Sequence, residues 1–103
     1  MQTLSPAQLQ QKMAEGVPAL DVRQPEEIAL AAIPGTLNIP MSELPARLAD
    51  LNPAAPIAVL CHHGMRSEMA ARFLEKNGFG EVFNLAGGID AWSTELDSSV
   101  PRY

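Results

Sequence analysis

Apolar residues in this chain come in short bursts separated by polar turns, and the bursts alternate between helical and extended spacing. Ser5-Pro6-Ala7-Gln8 predicts a helix start, with Ser at the cap, Pro in the first turn and Gln placed to bond back. Leu9 and Met13 share one face of that helix, and Gly16 stops it. Ala19-Leu20-Asp21-Val22 predicts a short strand ending in charge. Glu26 to Ala32 predicts a brief helix before a Pro34-Gly35 turn. Leu37-Asn38-Ile39 predicts a strand closed by Pro40, and Glu43 to Leu51 a helix with Leu44, Leu48 and Leu51 inward. Ile57-Ala58-Val59-Leu60 is apolar at every position, as a central parallel strand covered on both faces must be. A polar turn follows, then a helix from about Ser67 to Lys76 with Ala70, Phe73 and Leu74 as its inner stripe. Glu81 to Leu85 predicts the last strand, Gly87-Gly88 leads into a short helix bearing Trp92, and 97–103 reads as a loose tail.

Strands alternating with helices at this spacing mean an α/β domain with a mainly parallel sheet. The length of 103 residues fits one domain spanning 1–103. In such sheets ligands gather at the carboxyl ends of the strands, where Asp21 and Cys61 both fall.

Composition narrows the chemistry. A hydrophobic fraction of 47% and a charged fraction of 18% describe an ordinary globular protein. No apolar run reaches the ~20 residues of a membrane span, and Met1 to Gly16 has no secretory pattern, so the expected location is cytoplasmic. A net charge of -5 argues against nucleic acid or a membrane surface as the main partner. The segment Cys61 to Lys76 is the exception: Arg66, Arg72 and Lys76 outnumber Glu68 and Glu75, a mild sign of an anion site. Cys61 is the single cysteine, which excludes an internal disulfide and makes a zinc site implausible.

Cys61-His62-His63-Gly64-Met65-Arg66-Ser67 lies between the most apolar strand and a helix. A tight loop there can aim backbone N–H groups inward as an anion nest, to which the helix dipole adds. Such a nest favours a thiolate, the nucleophilic form of a thiol. Gly64 permits a turn that other residues resist. Arg66 offers permanent charge and a fork of donors. The same spacing also suits an ordinary strand–turn–helix junction with a half-buried cysteine.

Cys-x-x-Gly-x-Arg-Ser after an apolar strand resembles the active-site loop of rhodanese-like sulfurtransferases. Leu20 to Glu27, continuing through Ile33-Pro34-Gly35-Thr36-Leu37-Asn38-Ile39-Pro40, resembles that family's upstream block. Asn84-Leu85-Ala86-Gly87-Gly88-Ile89 with Trp92 resembles its downstream block. Ala31-Ala32 stands where the family often has Gly-His, a difference expected to change local packing. The resemblance implies a central, mostly parallel five-stranded sheet with helices on both faces. It also implies a reaction in which Cys61 takes a sulfane sulfur from thiosulfate or a persulfide and passes it to a thiol, cyanide or protein-thiol acceptor. Substrate contacts are expected along His62, His63, Gly64, Met65, Arg66 and Ser67, with a small anionic donor and neither cofactor nor metal.

Arg66 either steers that donor or pairs with a carboxylate such as Asp21 to hold the loop; the pair with Asp21 is expected, because buried charges need partners. Arg23 either supports the structure or helps attract an anion. His62 and His63, side by side, are not expected to enter one small pocket together. Each is a solvated loop side chain, or one bonds the leaving group. Trp92 and the phenylalanines are expected in the core. Two other functions fit parts of the pattern. A phosphatase of related fold needs one residue more between cysteine and arginine. A non-catalytic binding module usually lacks the cysteine that this chain keeps.

Overall fold

A computed structural model describes all residues, Met1–Tyr103. The elements in order are β1 (Gln2–Leu4), α1 (Pro6–Ala14), β2 (Ala19–Asp21), α2 (Pro25–Leu30), β3 (Leu37–Asn38), a 3₁₀ segment (Met41–Asp50), β4 (Ile57–Leu60), α3 (Met65–Lys76), β5 (Val82–Leu85) and α4 (Gly88–Glu95). The five strands form one sheet in the order β1-β5-β4-β2-β3, and every pairing is parallel. The capping box expected at Ser5 and Gln8 is present. None of the helices is long and apolar enough to cross a membrane.

Side-chain alternation along the strands sorts the core into two layers. Ala19, Ala58, Leu60, Phe83 and Leu85 pack with Leu9 of α1 and Ile89 and Trp92 of α4. Leu20, Ile57, Val59, Cys61 and Val82 pack on the other face with Ala70, Ala71 and Leu74 of α3. Phe79 and Phe83 are buried as expected, while Phe73 is partly buried.

The region Glu43 to Leu51 is not α-helical. Pro45 lies inside it, and a proline cannot supply the N–H of an α-helical ladder, so the chain takes the tighter 3₁₀ form and still buries Leu44. The tail is not loose either. Val100 is buried in the layer with Trp92, and the Tyr103 ring stacks on His62 at 3.9 Å.

One buried ion pair anchors the end of β2. Asp21 and Arg23 are both fully buried, and Arg23 Nη2 meets Asp21 Oδ2 at 2.7 Å while Nε donates to Oδ1 at 3.0 Å. The remaining Arg23 donors go to the Ala31 carbonyl at 2.8 Å, the Glu27 carbonyl at 3.3 Å and the Tyr103 hydroxyl at 2.8 Å. The guanidinium thus ties β2, both ends of α2 and the tail together. Arg23 has no exposed surface with which to attract an anion.

The start of α4 holds the chain that leaves β4. Ile89 N–H donates to the Cys61 carbonyl at 2.8 Å and Asp90 N–H to the His62 carbonyl at 3.2 Å. Gly88, with φ +61°, makes this approach possible, because a Cβ there would lie 2.4 Å from both carbonyl oxygens. Gly88→Ala is therefore expected to destabilise the fold by about 1–3 kcal/mol through backbone strain alone, with the loop's displacement adding to it. Denaturant midpoints will show this against Gly80→Ala, whose Cβ meets nothing within 4 Å and which should shift the midpoint little.

Candidate active site

Cys61 follows β4 directly, with 1% of its surface exposed, and lies at the base of a pocket of about 210 Å³ lined by Cys61, His62, His63, Met65 and Arg66. The loop reverses at Gly64, whose φ of +105° places it in the left-handed region before α3 begins. Gly64 N–H then donates to Cys61 Sγ at 3.0 Å, and Ser67 Oγ lies 3.4 Å from the same sulfur. Because the carbonyls of Cys61 and His62 are taken by α4, the loop can present the Gly64 N–H to the sulfur without stranding its acceptors.

Asn84 on β5 holds the other side. Its Nδ2 donates to the Gly64 carbonyl at 3.2 Å, and its Oδ1 accepts from Ser67 Oγ. Buried Ser67 thus braces the loop from within. Met65 is 78% exposed, so it forms the lip of the pocket and does not help bury Cys61.

Arg66 does not pair with Asp21. Its Nη1 and Nη2 donate to the two carboxylate oxygens of Glu27 at 2.6 and 2.8 Å. The alternation of β2 explains the difference: Asp21 shares a face with Ala19, on the α4 side of the sheet, whereas α3 and Arg66 belong to the Leu20 side. Glu27, in the first turn of α2, caps Gln24 N–H at 3.2 Å and accepts from the Tyr103 hydroxyl at 2.7 Å. The Arg66 guanidinium, aided by Tyr103, holds the Glu27 carboxyl well below the usual range, at about 2. The positive excess in the sequence of this segment is therefore matched at Arg66 by a carboxylate from elsewhere in the fold.

The histidines do share one pocket, because they stack. The His62 ring lies between His63, at 3.9 Å and 28°, and Tyr103, at 3.9 Å and 9°. His63 is exposed and His62 half-buried, with a buried Nε2 that bonds to no other group of the protein. Burial lowers the pKa of His62, and the neighbouring His63 adds to this.

The residues from Cys61 to Ser67 are thus in one place, and the Asp21–Arg23 pair connects to them through Tyr103, which stacks on His62. Glu27, Asn84, Gly88 and Tyr103 complete the arrangement and were not singled out by sequence. Asn84 and Gly88 stand in a motif whose block was visible as a whole; Tyr103 gives no signal in a segment read as loose.

Comparison with known proteins agrees with this geometry. Residues 5–95 match the Rhodanese-like domain family. A protein named Sulfurtransferase from Allochromatium vinosum is 39% identical over 82% of this chain and 81% of its own length. Thiosulfate sulfurtransferase GlpE of Ectopseudomonas mendocina is 34% identical over 96% of this chain and 91% of its own. Other relatives are longer: this chain spans 45% of a Bacillus subtilis protein, YrkF, and 29% of an Arabidopsis thaliana rhodanese-like protein. The crystal structure of a rhodanese-like domain protein from Staphylococcus aureus superposes with a TM-score of 0.84, at 31% identity, over 100% of this chain and 99% of that one. On sequence and on fold alike, this chain belongs to the rhodanese-like domain family.

Proposed function

We propose that this protein moves a sulfane sulfur from thiosulfate or a persulfide donor to a thiophilic acceptor through a persulfide on Cys61. The observation that carries this reading is the Cys61 sulfur, seated at the base of an open pocket and accepting from the Gly64 N–H at 3.0 Å. The Cys61 thiolate attacks the outer sulfur of the donor. A bond from Sγ to that sulfur forms as the donor's own bond to it breaks, and the leaving group departs with the electron pair. An acceptor thiolate or cyanide then attacks the outer sulfur of the cysteine persulfide and regenerates Cys61, a ping-pong cycle. The Gly64 N–H and the Ser67 hydroxyl, fixed toward the sulfur, stabilise charge there without reorganising, in the manner of an oxyanion hole. The relatives named as sulfurtransferases support the reading at modest identity.

In this reading Arg66 is a positioning residue, tying the start of α3 to α2 through Glu27. The same feature speaks against phosphate ester hydrolysis. Only His62, His63, Gly64 and Met65 separate Cys61 from Arg66, and the guanidinium fork is turned to Glu27, not inward over the sulfur.

Incubation with excess donor should add one sulfur atom to the intact mass, removable by cyanide or a reducing thiol. Cys61→Ser should fold normally, gain no sulfur and transfer none. Near-normal transfer by a folded Cys61→Ser protein would overturn the Cys61 persulfide, and no sulfur uptake or transfer by the unaltered protein would leave a non-catalytic binding module as the better account. The Arg66 pair has its own signature in acid. The folded Glu27 pKa, about 2, lies below the reference 4.5, so its contribution to stability is complete above about pH 4.5 and is lost as pH falls toward 2. With the Arg66 side chain 38% exposed, solvent screening limits this to about 1 kcal/mol. Arg66→Ala should lower stability by about that amount at neutral pH and flatten its decline between pH 4.5 and 2, read from denaturant midpoints.

A further inference from the structure

The charges around the pocket are matched in pairs. Arg66 is the one lining residue with a permanent positive charge, and both of its terminal nitrogens are committed to the ionised carboxylate of Glu27. The Tyr103 hydroxyl braces that carboxylate at 2.7 Å. Behind the loop, Arg23 is fully buried against Asp21. Beside it, Asp90, whose N–H bonds the His62 carbonyl, is matched by Arg102 at 2.9 Å. A dianion entering this pocket meets ion pairs that sum to zero, on a protein of net charge -5. The lip is formed by Met65, whose side chain is 78% exposed at the mouth of the pocket. A thioether at that lip suits the organic portion of a thiol-borne donor, since it is soft and adaptable.

We propose that Glu27, by neutralising Arg66, sets the site to take its sulfur from a low-molecular-weight organic persulfide in preference to the thiosulfate dianion. This rests on the reading of Cys61 as the sulfur-carrying nucleophile. The step balances without a further reactant. The Cys61 thiolate attacks the outer sulfur of R–S–SH, the Sγ–S bond forms, the donor's S–S bond breaks, and R–S⁻ leaves with the bonding pair. The proton remains on the transferred sulfur. Thiosulfate undergoes the same exchange but releases doubly charged sulfite, for which the mouth has no unmatched cation.

The test is the second-order rate at which the reduced full-length chain gains one sulfur, by quench and intact mass, with cysteine persulfide or sodium thiosulfate as donor. Each rate is divided by that of free N-acetylcysteine under the same conditions, which removes the intrinsic reactivity of the donors. At pH 8 the normalised rate with cysteine persulfide should exceed that with thiosulfate by about tenfold. The thiosulfate rate should rise or stay level as sodium chloride is added, because screening weakens repulsion by an acidic protein. Glu27→Gln, which leaves Arg66 unmatched, should shift the ratio toward thiosulfate by about tenfold. A normalised thiosulfate rate that matches or exceeds the persulfide rate, or one that falls steeply with salt in the unaltered protein, overturns the proposal. A ratio unmoved in a folded Glu27→Gln protein overturns the part given to Glu27. The salt profile needs no variant, so the outcome does not depend on Glu27→Gln folding. Sulfur uptake from neither donor sinks the Cys61 persulfide itself, whereas uptake with thiosulfate preferred sinks only the donor preference.

Discussion

A loop that turns an N–H toward a sulfur must turn its carbonyls elsewhere, and those carbonyls still need donors. Here the first turn of α4 supplies them. The seating of the cysteine depends on this contact. It fixes the backbone at Cys61 and His62, and it requires Gly88 to come within a distance that any side chain would forbid. It also explains why a stretch far along the sequence matters to the cysteine. Asn84, at the end of β5, grips the Gly64 carbonyl and Ser67, and a few residues later α4 grips the carbonyls on the other side. The loop is clamped between two consecutive pieces of one segment.

Behind that clamp lies a second system, built from charge. Arg23, Asp21, Glu27, Tyr103 and Arg66 form a continuous run of hydrogen bonds from the buried end of β2 to the edge of the pocket. Its inner pair is fully buried, so removing one partner would strand a charge. Its outer pair is partly solvated and contributes less to stability. The two pairs divide the work between holding the fold and setting the charge of the mouth.

Much of this was legible in the chain. The apolar run of β4, the capping box of α1 and the Gly-Gly before α4 each announced their element. The loop from Cys61 to Ser67 was placed at the right sheet end. Four things were not legible, for different reasons. β1 is three residues long with a single apolar position buried, too short to show a period. Pro45 argued against an α-helix from Glu43 to Leu51, yet the spacing of Leu44, Leu48 and Leu51 masked it. The partner of Arg66 is Glu27 and not Asp21, because the need of a buried charge for a partner names no face of the sheet, whereas strand alternation does. Alternation puts Asp21 on the far face from α3, which leaves the carboxylate at the start of α2 to meet the arginine. Tyr103 could not be foreseen at all, since its role comes from the ring faces it finds only after folding.

Trp92, the only tryptophan in the chain, stands on α4, the helix whose first turn grips the cysteine loop. Its indole is buried with Leu60 and Leu85, two residues that end the strands on which that loop and its brace are hung. The protein therefore carries its own optical probe. Light emitted from this one ring senses whether α4 is seated on the sheet, and α4 can be seated only when the loop carbonyls are in reach.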